Sequence, residues 1–249
     1  MSLSDCVSSG SLSYSVRTSS RARRARLVVS PRDGVVVVVP RRADPGQVAA
    51  FVESRAEWIR QAERRIAEAL ASVGTRSDLD AGGRPVVVPL RAVEEEWRVA
   101  YQASPARRCA ARVAGPQWLL VSGPVAAADS VRSALERWLA DRARSEVVGW
   151  LTVLAREHRV TLAGVSVRAQ RSRWASCSSS GRVSVNRNLL FLPRHLVEHV
   201  LLHELCHRLE MSHSPRFWRL LEGVDPSTAE RRVELRTAWK YVPSWAQTS

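Results

Sequence analysis

The chain has 249 residues, 45% of them hydrophobic, enough for one good core or two modest ones and too apolar for wholesale disorder. No window approaches the ~18 consecutive apolar residues of a membrane span, the start lacks a signal-peptide core, and Cys6, Cys109, Cys177 and Cys206 form no CxxC pair. Together these predict an intracellular, cytoplasmic protein with reduced thiols and no membrane partner. The net charge of +14 makes nucleic acid a candidate partner, although only one of the 38 basic residues is lysine and the chain is crowded with Ala and Val, the imprint of a GC-rich coding sequence.

Residues 1–13 read as a flexible tail. The basic cluster "RTSSRARRARLVVSPR" follows, and the solvated edge of a hairpin is a better reading of it than a phosphate-binding face. "ARLVVSPRDGVVVVVP" has two apolar runs joined by Pro-Arg-Asp-Gly, a β-hairpin closing at Pro40. Asp44 and Pro45 then suit the cap and first residue of one long helix over 45–71, with Val48, Phe51, Val52 and Ile59 among its apolar stripe. After a polar connector, "VVVPL", "EEWRVAYQA", the alternation from Arg108 to Val113 and "QWLLVSG" read as strands. Residues 14–125 are therefore expected to form a β-rich N-terminal subdomain containing that helix.

The second half, 126–249, opens on Asp129 as the expected N-cap of a long amphipathic helix whose Trp138, Leu139, Val147, Trp150 and Leu151 read as core anchors. "VSVRAQ" and "RVSVNRNLL" are period-two runs around "RSRWASCSSSG", which reads as a hairpin loop. Pro193 introduces the helix "RHLVEHVLLHELCHRLEM". The fold class expected from this order is α+β, a helical core with a small sheet preceded by the β-rich part.

That last helix carries the chemistry. His203 and His207 are four apart, one turn up and only ~40° round, so both imidazoles can reach one ion. Glu204 points ~100° away, a poor ligand direction and a good one for a base beside a water on the open side of the ion. With six His and sixteen Glu, HExxH is expected by chance about 0.01 times in a chain of this length, so the pattern carries information. A catalytic zinc takes a third protein ligand. His213 would lie ~240° from His207 if the helix continued, but Ser214-Pro215 is a cap and first residue for a new helix, which leaves His213 in a turn able to fold back. Glu222 on that new helix is the alternative third ligand. His195 and His199 extend the ladder upstream but drift ~80° off over eight residues, and read as surface residues or as supports behind the ligands. Phe217 and Trp218 are expected to pin the last helices onto the motif helix, Cys206 to be a buried small hydrophobe, and Trp174 either to pack or to contact substrate. The strand around Val183 to Val185 is a candidate edge for an extended peptide.

"SRWASCSSSGRVSVNRNLL" and "HLVEHVLLHELCHRLEMSHSPRFW" resemble the YgjP-like metallopeptidase family, kin of the SprT-like and WLM-domain zinc proteases. Arg173, Trp174, Ser176, Cys177, Asn186, His203, Glu204, His207, His213, Phe217 and Trp218 stand at matching places. Ala175 replaces the family's usual glycine and Ser212 its usual asparagine. The resemblance implies a zincin-like core with HExxH on a helix, one Zn2+ ion, and hydrolysis of a protein or peptide substrate in which Glu204 acts as the base. Arg173, His199 and Tyr241 are the candidates for stabilising the oxyanion. Two other readings compete: a protease acting on proteins bound to DNA, and a non-catalytic protein stapled by a structural zinc.

Overall fold

A computed structural model describes residues 4–9, 12–20, 22–30, 34–72, 79, 80 and 82–247. The chain divides into two compact units between Gly74 and Thr75.

In the first unit, strands β1 (Ser4–Ser9), β2 (Leu12–Thr18), β3 (Arg26–Ser30) and β4 (Gly34–Val39) form a sheet of order β1-β2-β4-β3, so the expected tail is in part an edge strand paired with β2. The hairpin is present: β3 and β4 pair antiparallel with Ser30 opposite Gly34, while Pro31 to Asp33 lie outside the described residues. The valine run of β4 occupies a central strand and is buried throughout, as a strand covered on both faces requires. Val35, Val37 and Val39 point to one face and meet Val48, Val52 and Ile59. Those residues belong to α1 (Pro45–Glu53) and α2 (Ala56–Ser72), two helices where one was expected. Asp44 caps α1 as its sequence demands, accepting from the Gly46 N–H at 3.1 Å, but α1 ends at Ser54, whose hydroxyl turns back to donate to the Phe51 carbonyl. The exposed Arg23, Arg24 and Arg26 sit at and before β3, an edge strand, which is the solvated arrangement expected for them.

The second unit holds the motif. Strands β5 (Val87–Leu90), β6 (Glu95–Ala103), β7 (Ala110–Gly115) and β8 (Trp118–Gly123) form a sheet of order β5-β6-β8-β7. Val88, Leu90, Trp97, Val99, Leu119 and Val121 pack in one cluster with Val131, Leu135, Trp138 and Leu139 of α3 (Ala128–Glu157). These strands thus share a core with the motif helix, and grouping them with the N-terminal part, with a boundary at 125, is corrected by that packing. Asp129 lies inside the first turn of α3, paired with Arg132 at 2.8 Å, and not at the cap, because a Pro124–Ala127 turn starts the helix two residues early. Leu139→Ala removes a fully buried side chain from this core; a loss of about 2–5 kcal/mol in urea unfolding is expected.

Strands β9 (Gly164–Arg168), β10 (Ala175–Cys177) and β11 (Arg182–Asn186) make a small mixed sheet of order β10-β11-β9. The two period-two runs are not a hairpin: β9 and β11 run parallel, and the Ser-rich segment between them contains β10, which is the antiparallel partner of β11. Its tight turn needs Gly181, at φ +82°, where a Cβ would also come within 2.9 Å of the Arg208 guanidinium. Arg208 donates to the Ser179 carbonyl at 3.1 Å and so ties this turn to the end of α4 (Arg194–Cys206). Helices α5 (Pro215–Val224) and α6 (Thr228–Leu235) complete the unit and pack on α4. The fold class is α+β, and among the described residues no helix is long and apolar enough to cross a membrane.

Candidate metal centre

His203 and Glu204 lie in the last turn of α4 and His207 is its C-cap. The helix stops there, and Ser214 caps α5 by accepting from the Phe217 N–H, with Pro215 at the first helical position. The short turn between the two helices brings His213 back: its Nε2 is 3.0 Å from the Nε2 of His203, which is 3.2 Å from the Nε2 of His207. All three ligand atoms fall within 4.8 Å of one another. Ligands at the ~2.0–2.1 Å zinc–nitrogen distance in tetrahedral array stand roughly 3.3 Å apart, so the three imidazoles fit one such ion. Glu222, the alternative third ligand, is exposed on α5 and outside this group.

The ring states suit a cation. His207 Nδ1 is 3.1 Å from the Glu210 carbonyl, which can only accept, so that nitrogen carries the proton and Nε2 presents its lone pair. Burial, then the neighbouring His207 and His213, push His203 down to about 3, so its ring is neutral at pH 7. Phe217, fully buried, lies 4.8 Å from the His203 ring and 4.6 Å from that of His207, and Trp218 stacks on His213 at 5.5 Å. The two aromatic residues do join α5 to α4, but through the imidazoles themselves.

Glu204 is buried, and burial raises its pKa to about 7 against the opposing effects of the Cys177 N–H and the Arg173 charge. Its Oε2 is buried without a hydrogen-bond partner among the described residues. A water between Oε2 and an ion held by the three histidines would meet that need. The Cys177 N–H comes near Glu204 because β10 is an edge strand beside α4. Its partner β11, which carries Val183 to Val185, is paired on both sides, so the peptide-binding edge expected there is not available.

The remaining marked residues separate. His199 is buried, with Nδ1 2.5 Å from Asp225 Oδ2, and Asp225 is held in turn by Arg231 at 2.9 Å. His195 pairs at the surface with Glu234 at 2.8 Å, and the Tyr241 hydroxyl donates to the same carboxylate at 3.3 Å, which engages Tyr241 away from the three histidines. Trp174 stacks on Trp239 at 4.2 Å, the packing alternative of its two readings, and Cys206 is buried as expected. Ala175 and Ser212 adopt no left-handed backbone, so the replaced glycine and asparagine leave the local chain unstrained. Glu210, Asp225 and the Cys177 N–H were not marked in the sequence. Asp225 is 26 residues from the histidine it holds, and backbone donors have no residue signature.

Comparison with curated proteins and with solved structures finds no match. The profile of the YgjP-like, metallopeptidase domain family matches residues 23–238, which takes in the three histidines, Glu204 and most of both compact units. The chain belongs to the YgjP-like metallopeptidase domain family.

Proposed function

We propose that this chain is a zinc-dependent peptidase with a zincin-like core, in which His203, His207 and His213 hold one ion and Glu204 is the general base. The observation that carries this reading is the convergence of three imidazole Nε2 atoms beside a buried carboxylate oxygen that lacks a partner. When bound there, zinc supplies Lewis acidity and the acidification of water.

The chain's own residues do the rest. In the metal-free chain burial holds the Glu204 pKa up at about 7, and a bound cation would favour the ionised carboxylate that a general base needs. The partnerless Oε2 takes the proton from water and later delivers it to the leaving amine nitrogen. The Glu210 carbonyl holds the His207 ring in the tautomer that leaves Nε2 unprotonated. Strand β10 presents its outer edge next to Glu204, a place for extended substrate backbone to align. A net charge of +14 attracts any polyanion and selects no partner, so it adds no second reading.

The test is a purified protein assayed for metal content and for hydrolysis of a denatured protein. Stoichiometric zinc, hydrolysis abolished by 1,10-phenanthroline and recovery on adding zinc are expected. Hydrolysis indifferent to the chelator would overturn the proposal.

A further inference from the structure

Two arginines stand next to each other on α6 in different circumstances. Arg231 is taken up by the buried Asp225 at 2.9 Å. Arg232 is exposed, and its guanidinium carbon lies 3.8 Å from the centroid of the Trp218 ring. At that distance over the ring face the guanidinium is held by the aromatic quadrupole, with no carboxylate partner among the described residues.

The position of Trp218 makes this arginine part of the metal-site rim. The ring stacks on His213 at 5.5 Å with 22° between planes, and lies 6.2 Å from the His203 ring. With a divalent cation on the three histidines and Glu204 beside it, Arg232 would be a second positive centre at the rim, without an ion-pair partner among the described residues. Such an arrangement repels cationic ligands and rewards an anion that reaches both. Two carboxylates beside the histidine residues are engaged: Asp225 by His199 and Arg231, Glu210 by the Ser212 hydroxyl at 2.6 Å.

We propose that the site takes peptides carrying a carboxylate beside the scissile bond, and that Arg232, laid on Trp218, receives it. The carboxylate comes from an acidic side chain or from the free C-terminus of the peptide; a guanidinium fork meets both alike. This rests on the peptidase reading and names the substrate class for it.

The experiment measures equilibrium binding of three hexapeptides of otherwise equal sequence to zinc-loaded Glu204→Gln protein: one with an internal glutamate and an amidated end, one neutral with a free C-terminus, one neutral and amidated. At least one carboxylate peptide is expected to bind about ten-fold tighter than the neutral amide, the size of one charge-assisted pair. Which one it is separates an acidic side chain from a chain terminus. Adding Arg232→Gln is expected to bring that ratio close to one, and Arg232→Lys to keep part of it, because the charge stays while the planar fork is lost. Equal binding of the three peptides, or a preference that survives Arg232→Gln, overturns the proposal. Cleavage of the same peptides by the wild type keeps the two ideas apart. Cleavage without any preference leaves the peptidase reading and removes the carboxylate subsite, whereas carboxylate-selective binding without cleavage does the reverse.

Discussion

Glu204→Gln is expected to lower peptide hydrolysis by about 10²–10⁴-fold, the usual contribution of a positioned general base, while zinc content stays stoichiometric. Glutamine has the shape of glutamate, so the helix end and the three imidazoles keep their places. What it lacks is the second carboxylate oxygen, the one that is buried without a partner. The substitution also has a stability signature in the metal-free protein. Burial raises the Glu204 pKa from 4.5 to about 7, so the folded chain holds this proton more tightly than the unfolded chain does. The raised pKa therefore favours folding fully below pH ~4.5, and the advantage is lost as pH rises through about 7, where the folded state must carry a buried carboxylate. The full swing is about 3 kcal/mol for a shift of this size. Glu204→Gln has no such titration, so urea unfolding of the two metal-free proteins should show the variant gaining on the wild type between pH ~4.5 and ~7.5. Added zinc should erase that gain by favouring the ionised carboxylate. Retained hydrolysis together with retained zinc would remove Glu204 from the mechanism.

The sequence made the local features legible and left the long-range ones hidden. The HExxH helix, the break before His213 and the Ser214-Pro215 cap rest on helical periodicity and on cap chemistry, and both act over a few residues. Strands β5 to β8 were readable one at a time, but their membership of the second unit was not, because it depends on side chains from Val88 to Val121 meeting α3. The parallel pairing of β9 with β11 was hidden for a related reason. Period-two runs flanking a Ser-Gly segment look the same whether the segment is a turn or contains a third strand, and the three residues of β10 are too few to declare themselves. At the site, the residues with reactive side chains could be named in advance. The groups that set their states are a carbonyl at Glu210, an amide at Cys177 and a carboxylate at Asp225, and only the folded chain brings them into reach.

His213→Ala should lose stoichiometric zinc, with affinity falling at least ~100-fold, since even changes to groups that merely support a ligand cost 10–100-fold. The other two ligands are one turn apart on the end of α4 and are left with a two-nitrogen site, which a chelator of moderate strength will strip. Because His213 is exposed, its removal opens no cavity in the core, and circular dichroism of the variant should match the wild type. The thermal readout follows by mass action: zinc at a hundred times its dissociation constant stabilises the wild type by about 2.7 kcal/mol, and the same zinc concentration should leave the midpoint of His213→Ala nearly unmoved. Glu222→Ala is the matched control, an exposed residue on the next helix whose carboxylate lies outside the group of converging nitrogens. It should bind zinc as the wild type does. The opposite pattern, zinc kept by His213→Ala and lost by Glu222→Ala, would mean that α5 and not the turn before it completes the site. The convergence at 3.0 Å between His213 and His203 would then be a packing contact.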